Sequence, residues 1–296
     1  MPLRKREEIQ VLLRQERLSM DKLRANSSIS PPVMTADAFD RVGGVRHAFT
    51  TRLGGVSGGI FSSLNLGVRR GDDENAVREN YRIICGGIGI DPKNLVFSRQ
   101  THSDIIRTVT AADSIGDIFA PVPYEADGLI TDLPGLPLIV FVADCEGILL
   151  YDPVKRVVAA VHAGWRGTAA DIAGKAVAKM KDEFGCDPRD ILAALAPCIG
   201  SCCYEVGPDV YNAAAALGGI DVDSFFAPGR ADRLMMDLRG MNAALLMAGG
   251  ISDEHITVSD ECTMCKSDIF WSHRASKGNR GSQACIIMLE QTTVCI

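Results

Sequence analysis

Three residues with side chains that bind soft metal ions stand out: His102, Cys145 and His162. They occur in separate segments, SRQTHSD, FVADCEG and AVHAGWRG, each at or beside an apolar run. The chain has only five histidines, so composition alone does not explain this pattern. Two imidazoles and one thiolate suit Zn²⁺, with Cu²⁺ as the alternative, and leave a fourth position for water or substrate. We therefore predict a mononuclear metal site, and refer to these residues as the His-Cys-His trio.

Cys145 has a second candidate role, because a thiol beside an imidazole is also a nucleophile, with His162 or the other histidine as its base. Carboxylates nearby are candidates for proton transfer, and Asp144, directly before the cysteine, is expected to be catalytic. Asp127 and Glu146 are alternatives for this step. Asp144 could instead orient a ligating histidine by accepting its hydrogen bond. The sequence leaves these roles open.

A second group of residues is suited to bind an anion. The segment HAFTTRLGGVSGG carries Arg52, Gly54 and Gly55 in a glycine-rich loop whose backbone N–H groups can approach a ligand closely. Arg166 stands beside a predicted helix start, which favours anions, and Arg274 is a further candidate. We expect these residues to bind phosphate and Arg52 to take part in catalysis. A structural ion pair of Arg52 with a carboxylate is the alternative.

The remaining cysteines allow a structural zinc site. Cys198, Cys202 and Cys203 lie in one segment, and Cys262 and Cys265 form a CxxC motif. The usual spacing of two CxxC motifs is absent. We therefore favour reduced thiols and keep a structural zinc as the alternative.

Composition excludes several classes of function. The 296 residues are 47% hydrophobic and 23% charged, with a net charge of −6, so nucleic acid and anionic membranes are not expected partners. The chain has no apolar run long enough for a transmembrane helix, and its first residues are charged and unlike a secretory signal. We expect a cytoplasmic protein whose ten cysteines are thiols or ligands.

Strand and helix patterns alternate along the chain. Residues 136–145 are a continuous apolar run typical of a strand buried on both faces, and 148–152 and 157–164 predict a hairpin. Residues 73–86 and 170–185 predict helices, the second with Thr168 as its N-cap. Hairpins and helical crossovers together indicate a single α/β domain with a mixed sheet. It should begin near Val33, after an amphipathic helix (residues 3–24) and a linker, so that residues 1–32 form an extension that could bind a partner.

The ordered motifs HAFTTRLGGVSGG, GDDENAVREN, SRQTH, EADGLIT, VADC, VHAGWRGT, APCIG, YEVG and FWSHR resemble the YfiH-like, or laccase-domain, family related to multicopper polyphenol oxidases. The resemblance covers nearly all of the chain after the extension. It implies a three-layer α/β/α fold with a mixed sheet and a metal site at His102, Cys145 and His162. It also implies phosphorolysis of adenosine, inosine and methylthioadenosine, together with adenosine deamination.

Two segments depart from the family's pattern. Glu146-Gly147 follows the ADC motif where the family has a small or apolar residue and proline, which places a carboxylate beside the cysteine in sequence. Asn279-Arg280-Gly281-Ser282-Gln283 stands where the family has a Gly-Arg-Gln run.

The number of histidines limits which activities are possible. A multicopper oxidase needs a further cluster held by many imidazoles, which five histidines do not supply, so polyphenol oxidation is at most a side reaction of bound copper. One zinc with an open position suits deamination by an activated water. We expect a purine nucleoside phosphorylase and deaminase acting on a nucleoside and phosphate, as a monomer or small homo-oligomer. A cysteine hydrolase of the amidase type, acting on a cell-wall precursor, is the alternative.

Overall fold

Two β-sheets packed face to face form the centre of the protein, which we describe from a computed structural model covering residues 22–291. The first sheet is antiparallel and has five strands in the order β1 (Leu23–Asn26), β2 (Val33–Ala36), β3 (Val45–Thr50), β14 (Gln283–Leu289) and β6 (Leu138–Val142).

The second sheet is mixed and has six strands in the order β13 (Ile256–Val258), β9 (Leu192–Leu195), β7 (Glu146–Asp152), β8 (Val157–Ala163), β5 (Gly128–Thr131) and β4 (Ile106–Thr108). Its two outermost pairs are parallel and its inner pairs antiparallel. A small third sheet consists of β10 (Glu205–Val206), β12 (Leu234–Met236) and β11 (Phe226–Pro228).

Helices cover the outer faces of the two large sheets. The described helices are α1 (Asp37–Val42), α2 (Glu74–Ile88), α3 (Trp165–Ala169), α4 (Ile172–Phe184), α5 (Pro208–Ala214) and α6 (Leu238–Ala248). The helix α2 packs on the five-stranded sheet, α4 and α6 pack on the six-stranded sheet, and α5 packs against α3. None of the helices in residues 22–291 has both the length and the apolar character that a membrane crossing requires.

Several strands are apolar along their whole length because both of their faces are buried. Along β14, Ala284 and Ile286 face α2, whereas Cys285 and Ile287 pack against the six-stranded sheet. All seven residues of β14 are buried, as expected for a strand covered on both sides. The expected single α/β domain is confirmed, but the layers differ from the three predicted, because two sheets rather than one lie between the helices.

The central hairpin is confirmed: β7 and β8 pair antiparallel across the turn at 153–156. The helix predicted from residue 73 is confirmed as α2, with the Asp73 side chain accepting from the Ala76 N–H as N-cap. It runs through Gly86 and ends at Gly89 in a left-handed conformation, three residues later than predicted. Thr168 is not the N-cap of α4, because Asp171 takes that position and Thr168 lies inside α3.

The predicted amphipathic helix at residues 3–24 lies almost wholly outside the described residues. Its last residues and the predicted linker form part of a hairpin instead, in which β1 pairs with β2 at the edge of the five-stranded sheet. The part of the expected extension that the structure describes is therefore an edge strand of the main domain.

Candidate functional site

The trio meets where the chain passes from one large sheet to the other. Cys145 lies in the short link between β6 of the five-stranded sheet and β7 of the six-stranded sheet. His162 lies in β8, where it is the register partner of Gly147. His102 lies in the loop before β4. The strand that precedes Cys145 and the strand that holds His162 thus belong to different sheets, and the link between β6 and β7 brings the thiol to the imidazoles.

The three side chains are close enough to share one metal ion. One ligand atom from each lies within 4.8 Å of the others. The Cys145 Sγ is 3.8 Å from the His102 Nε2, and the rings of His102 and His162 stand edge to face with centroids 4.8 Å apart. A tetrahedral zinc with bonds of about 2.0–2.3 Å requires separations between sulfur and nitrogen of about 3.5 Å. The donor set therefore fits zinc with small adjustments.

A buried carboxylate, Asp127, positions both histidines. Its Oδ1 is 2.7 Å from the His162 Nδ1, which leaves the Nε2 of that ring for a metal. The same carboxylate accepts the N–H groups of Thr101, His102 and Ser103 at 2.7–3.1 Å. His102 has a φ of 61°, in the left-handed region, and these hydrogen bonds hold it there. Asp127, one of the three candidate proton carriers, thus supports the two histidines of the site.

The charges of the site favour a thiolate. Burial opposes ionisation of Cys145, but the neighbouring imidazoles of His162 and His102 outweigh it and lower the pKa of the thiol to about 6. Burial likewise opposes the charging of His162, yet the cysteine and Asp127 raise its pKa to about 9. Although burial disfavours its charge, hydrogen bonds from His162 and Ser103 lower the pKa of Asp127 to about 2. Around neutral pH a thiolate faces an imidazolium, and a metal cation can replace the imidazolium proton.

The site opens into a cavity of about 410 Å³. His102, Cys145 and His162 form part of its wall, and Phe97 and Phe141 supply an apolar side on which their rings meet edge to face. This volume lies within the range of about 300–1,000 Å³ typical of small-molecule sites.

Four arginines line the same cavity: Arg69, Arg70, Arg99 and Arg280. Arg99 is paired with Glu125, and Arg69 donates to the Phe119 carbonyl. Burial lowers the pKa of Arg70; burial and the charge of Arg70 lower that of Arg280 to about 10. Arg280 donates to the Gly281 carbonyl and the Ser282 Oγ, while its buried Nε has no partner among the described residues. In the ion pairs of residues 22–291 neither Arg70 nor Arg280 has a carboxylate partner. The cavity wall therefore carries two guanidinium groups without a direct ion pair, which suits an anion.

The predicted anion site at Arg52 is not brought to this cavity. Arg52 donates to the carbonyls of Ser62 and Ser267 and stacks on Trp271, with its guanidinium carbon 4.0 Å from the ring centroid. The adjacent glycines serve close packing: a Cβ on Gly54 would lie 2.6 Å from the Pro31 Cβ, and one on Gly55 2.4 Å from the Leu64 Cα. The glycine-rich loop therefore stabilises the fold rather than lining the cavity.

Arg166 and Arg274 lie elsewhere, on a second and more open cavity of about 490 Å³ beside Tyr204. Arg274 donates from its Nη1 to the Glu205 carbonyl, and its backbone N–H donates to Asp144 at 2.6 Å. The other oxygen of Asp144 accepts the Thr263 hydroxyl at 2.6 Å. Both oxygens of Asp144 are thus engaged in joining loops, and neither orients a histidine of the trio.

Glu146, adjacent to the cysteine in sequence, does not reach the metal site. Alternate residues of a strand share a face, so Glu146 lies on the same face of β7 as Ile148 and Leu150, which pack against the helices. His162 lies on the other face of the sheet. Glu146 is fully buried near Arg239 of α6.

Sequence reasoning missed Arg70 and Arg280. Arg280 lies in the segment that departs from the family's Gly-Arg-Gln run, and that departure was the available signal. Arg70 follows a loop with no distinguishing pattern, and only the fold brings it to the cavity.

The chain is similar along most of its length to bacterial proteins named as purine nucleoside phosphorylases. A purine nucleoside phosphorylase, YlmD, from Geobacillus stearothermophilus is 35% identical over 240 residues, covering 80% of this chain and 88% of the relative. A purine nucleoside phosphorylase from Deinococcus radiodurans is 37% identical, covering 83% of this chain and 89% of the relative.

The fold is similar to solved structures as well. The crystal structure of the Bacillus licheniformis hypothetical protein YfiH superposes with a TM-score of 0.84 at 34% identity, covering 90% of this chain and 99% of that one. A family model described as multi-copper polyphenol oxidoreductase laccase matches residues 46–290. The resemblance found from the motifs is therefore confirmed, and the chain belongs to the multi-copper polyphenol oxidoreductase laccase family, the YfiH-like laccase-domain proteins.

Proposed function

We propose that the protein is a purine nucleoside phosphorylase whose reaction takes place in the cavity lined by the trio, Arg70 and Arg280. The observation that carries the proposal is the placement of Arg70 and Arg280 on the wall that also holds His102, Cys145 and His162. Within residues 22–291 neither arginine has a carboxylate partner. A phosphorolytic site needs an anion cradle next to a pocket for an uncharged ring. The names of the relatives support the same reaction.

In this proposal the arginine pair holds inorganic phosphate by charge-assisted hydrogen bonds from guanidinium groups on the cavity wall. Phe97 and Phe141 contact the base, and their apolar surface keeps water from competing with phosphate. A phosphate oxygen bonds to C1′ of the ribose as the C1′–N9 bond breaks. The products are ribose 1-phosphate and the free base, which takes up a proton.

His102, Cys145 and His162 would hold Zn²⁺, or Cu²⁺ where copper replaces it, because their ligand atoms converge and Asp127 fixes the tautomer of His162. The metal, when bound, supplies Lewis-acid chemistry at one open position. The protein's own contribution is to keep Cys145 ionised and His102 in its left-handed conformation, so that the trio stays oriented towards the cavity.

We further propose adenosine, inosine and methylthioadenosine as substrates, and deamination of adenosine as a second reaction of the same site. Deamination adds water at C6 and releases ammonia, leaving inosine, and the open position of the trio next to the cavity supports it. In chromatography, we expect adenosine to yield inosine when phosphate is absent. When phosphate is present, we expect hypoxanthine as well.

The proposal is tested by comparing Arg280→Gln with Arg52→Gln. Losing a charge-assisted hydrogen bond costs about 1.5–3 kcal/mol, so Arg280→Gln should raise the KM for phosphate at least about tenfold. Arg52→Gln should leave that KM within about twofold and lower the Tm, because Arg52 joins loops and stacks on Trp271.

A raised KM for phosphate in Arg52→Gln but not in Arg280→Gln would instead support the anion site at Arg52 that the sequence predicts. Absence of turnover of every purine nucleoside by zinc-loaded protein would overturn the proposal. Activity on amides that survives chelation, with a covalent adduct on Cys145, would support the cysteine hydrolase instead.

A further inference from the structure

We propose that the protein binds a second metal ion, a structural zinc, through four cysteine thiolates at Cys202, Cys203, Cys262 and Cys265. The first two lie in the turn at 201–203 after β9, and the other two in the turn that follows β13. We refer to these residues as the four-cysteine cluster. It shares no residue with the trio or with the cavity that the trio lines.

The sulfur positions match those of a tetrahedral zinc centre. All four Sγ atoms lie within 4.8 Å of one another. Three of the separations are short: 3.7 Å for Cys202–Cys203, 3.6 Å for Cys202–Cys265 and 3.4 Å for Cys203–Cys265. Four sulfurs at about 2.3 Å from one zinc ion stand about 3.8 Å apart. A disulfide would require about 2.05 Å, so the four sulfurs are arranged around a common centre rather than bonded in pairs.

The backbone holds the two turns in register at the cluster. Cys198 and Cys262 form a parallel bridge, in which the Thr263 N–H donates to the Cys198 carbonyl at 3.0 Å. The Gly200 N–H donates to the Cys262 Sγ at 3.2 Å, an interaction that stabilises a thiolate. A Cβ on Gly200 would lie 3.2 Å from the Cys262 Cβ and 3.3 Å from the Cys202 Sγ. The turn therefore needs a residue without a side chain next to the sulfurs.

Burial and ligand type point to a structural role. Cys262 is buried, Cys203 is half-buried, and Cys202 and Cys265 are exposed, so metal can reach the cluster from solvent. Four thiolates fill the coordination of zinc and leave no open position for substrate. A vicinal Cys-Cys pair supplies two of the ligands, which is why the spacing differs from two CxxC motifs.

The cluster is placed to stabilise the loops around the first site. Thr263, inside the CxxC turn, donates its hydroxyl to Asp144 at 2.6 Å, and Asp144 directly precedes Cys145. The Arg274 N–H donates to the other Asp144 oxygen at 2.6 Å. The segment from Cys262 onward leads to Arg280 on the cavity wall. A zinc at the cluster would fix the beginning of this segment relative to the link that carries Cys145.

Zinc stoichiometry tests the proposal. Protein purified under reducing conditions and analysed by elemental mass spectrometry should contain two zinc ions per chain. Cys203→Ser/Cys265→Ser should lose one, Cys145→Ser/His162→Ala should lose the other, and the combined variant should lose both. Cys186→Ala, a thiol in neither group, is the matched control and should retain two.

X-ray absorption at the zinc edge gives an independent readout that does not need the cluster variant to fold. In Cys145→Ser/His162→Ala the remaining zinc should have four sulfur neighbours. One zinc per wild-type chain, with none left in that variant, would overturn the proposal, as would a disulfide within the cluster in protein isolated anaerobically. Activity enters none of these measurements, so the phosphorylase proposal and the zinc proposal can fail separately.

Discussion

At the scale of single residues, Asp127 determines the geometry of the trio more than any ligand does. Its carboxylate lies 2.7 Å from the His162 Nδ1 and accepts hydrogen bonds from the three consecutive backbone N–H groups of residues 101–103. The side chain is fully buried. A carboxylate satisfies this arrangement because all of its hydrogen-bonding capacity is that of an acceptor. The sequence presented Asp127 as one of three candidate proton carriers, and its supporting role became evident only when the loop at 101–103 was seen to wrap around it.

Asp127→Asn should therefore weaken metal binding about 10–100-fold, the usual effect of losing a group that orients a ligating histidine. The amide would also direct an N–H group towards donors, so the Tm should fall. Affinity is measured by competition with a chromophoric chelator. Asp132→Asn, at an exposed position, is the control and should change neither value. Unchanged affinity in Asp127→Asn would show that the histidines are held by other contacts.

At the scale of elements, the sequence was sufficient for the β7–β8 hairpin and for α2 but insufficient for the sheets. The runs forming β6, β7, β8 and β14 are buried on both faces and carry the same apolar signal. Periodicity therefore cannot tell which of them pair with each other. That is why the sequence did not show that β6 and β8 belong to different sheets, and why the contribution of Arg70 and Arg280 was missed. The trio was predictable because histidines are few and because the motifs SRQTH, VADC and VHAGWRGT that carry its members match the family.

The start of α3 illustrates how tightly these elements approach each other at the site. A Cβ on Gly164, which precedes α3, would lie 2.9 Å from the His102 Cδ2 and 3.1 Å from the Cys145 Sγ. Gly164→Ala should therefore displace the trio and lower kcat/KM about tenfold or more, equivalent to about 1.4 kcal/mol. Gly218→Ala, where a Cβ would meet no atom within 4 Å, is the control. Equal activity of the two variants, measured by nucleoside phosphorolysis, would contradict the packing argument.

At the scale of the whole molecule, the six-stranded sheet separates two charged environments. The trio lies on the face towards the other sheet, and Glu146 and Arg239 lie on the face towards the helices. Burial raises the pKa of Glu146 to about 7, although the charge of Arg239 and hydrogen bonds to Cys198 and the backbone oppose the change. A buried carboxylate retained in such a place makes the stability of the fold depend on pH.

The sign of that dependence follows from the protons bound. Between about pH 4.5 and 7 the folded protein keeps a proton on Glu146 that the unfolded chain releases, so stability falls as the pH rises through this window. Glu146→Gln cannot titrate, so its free energy of unfolding relative to wild type should rise by about 2 to 3 kcal/mol from pH 5 to 8. Denaturant unfolding of both proteins at each pH measures this difference, and Glu74→Gln, at an exposed position, should show none. A constant difference between wild type and Glu146→Gln would mean that Arg239 keeps Glu146 ionised throughout, as in a stable buried ion pair.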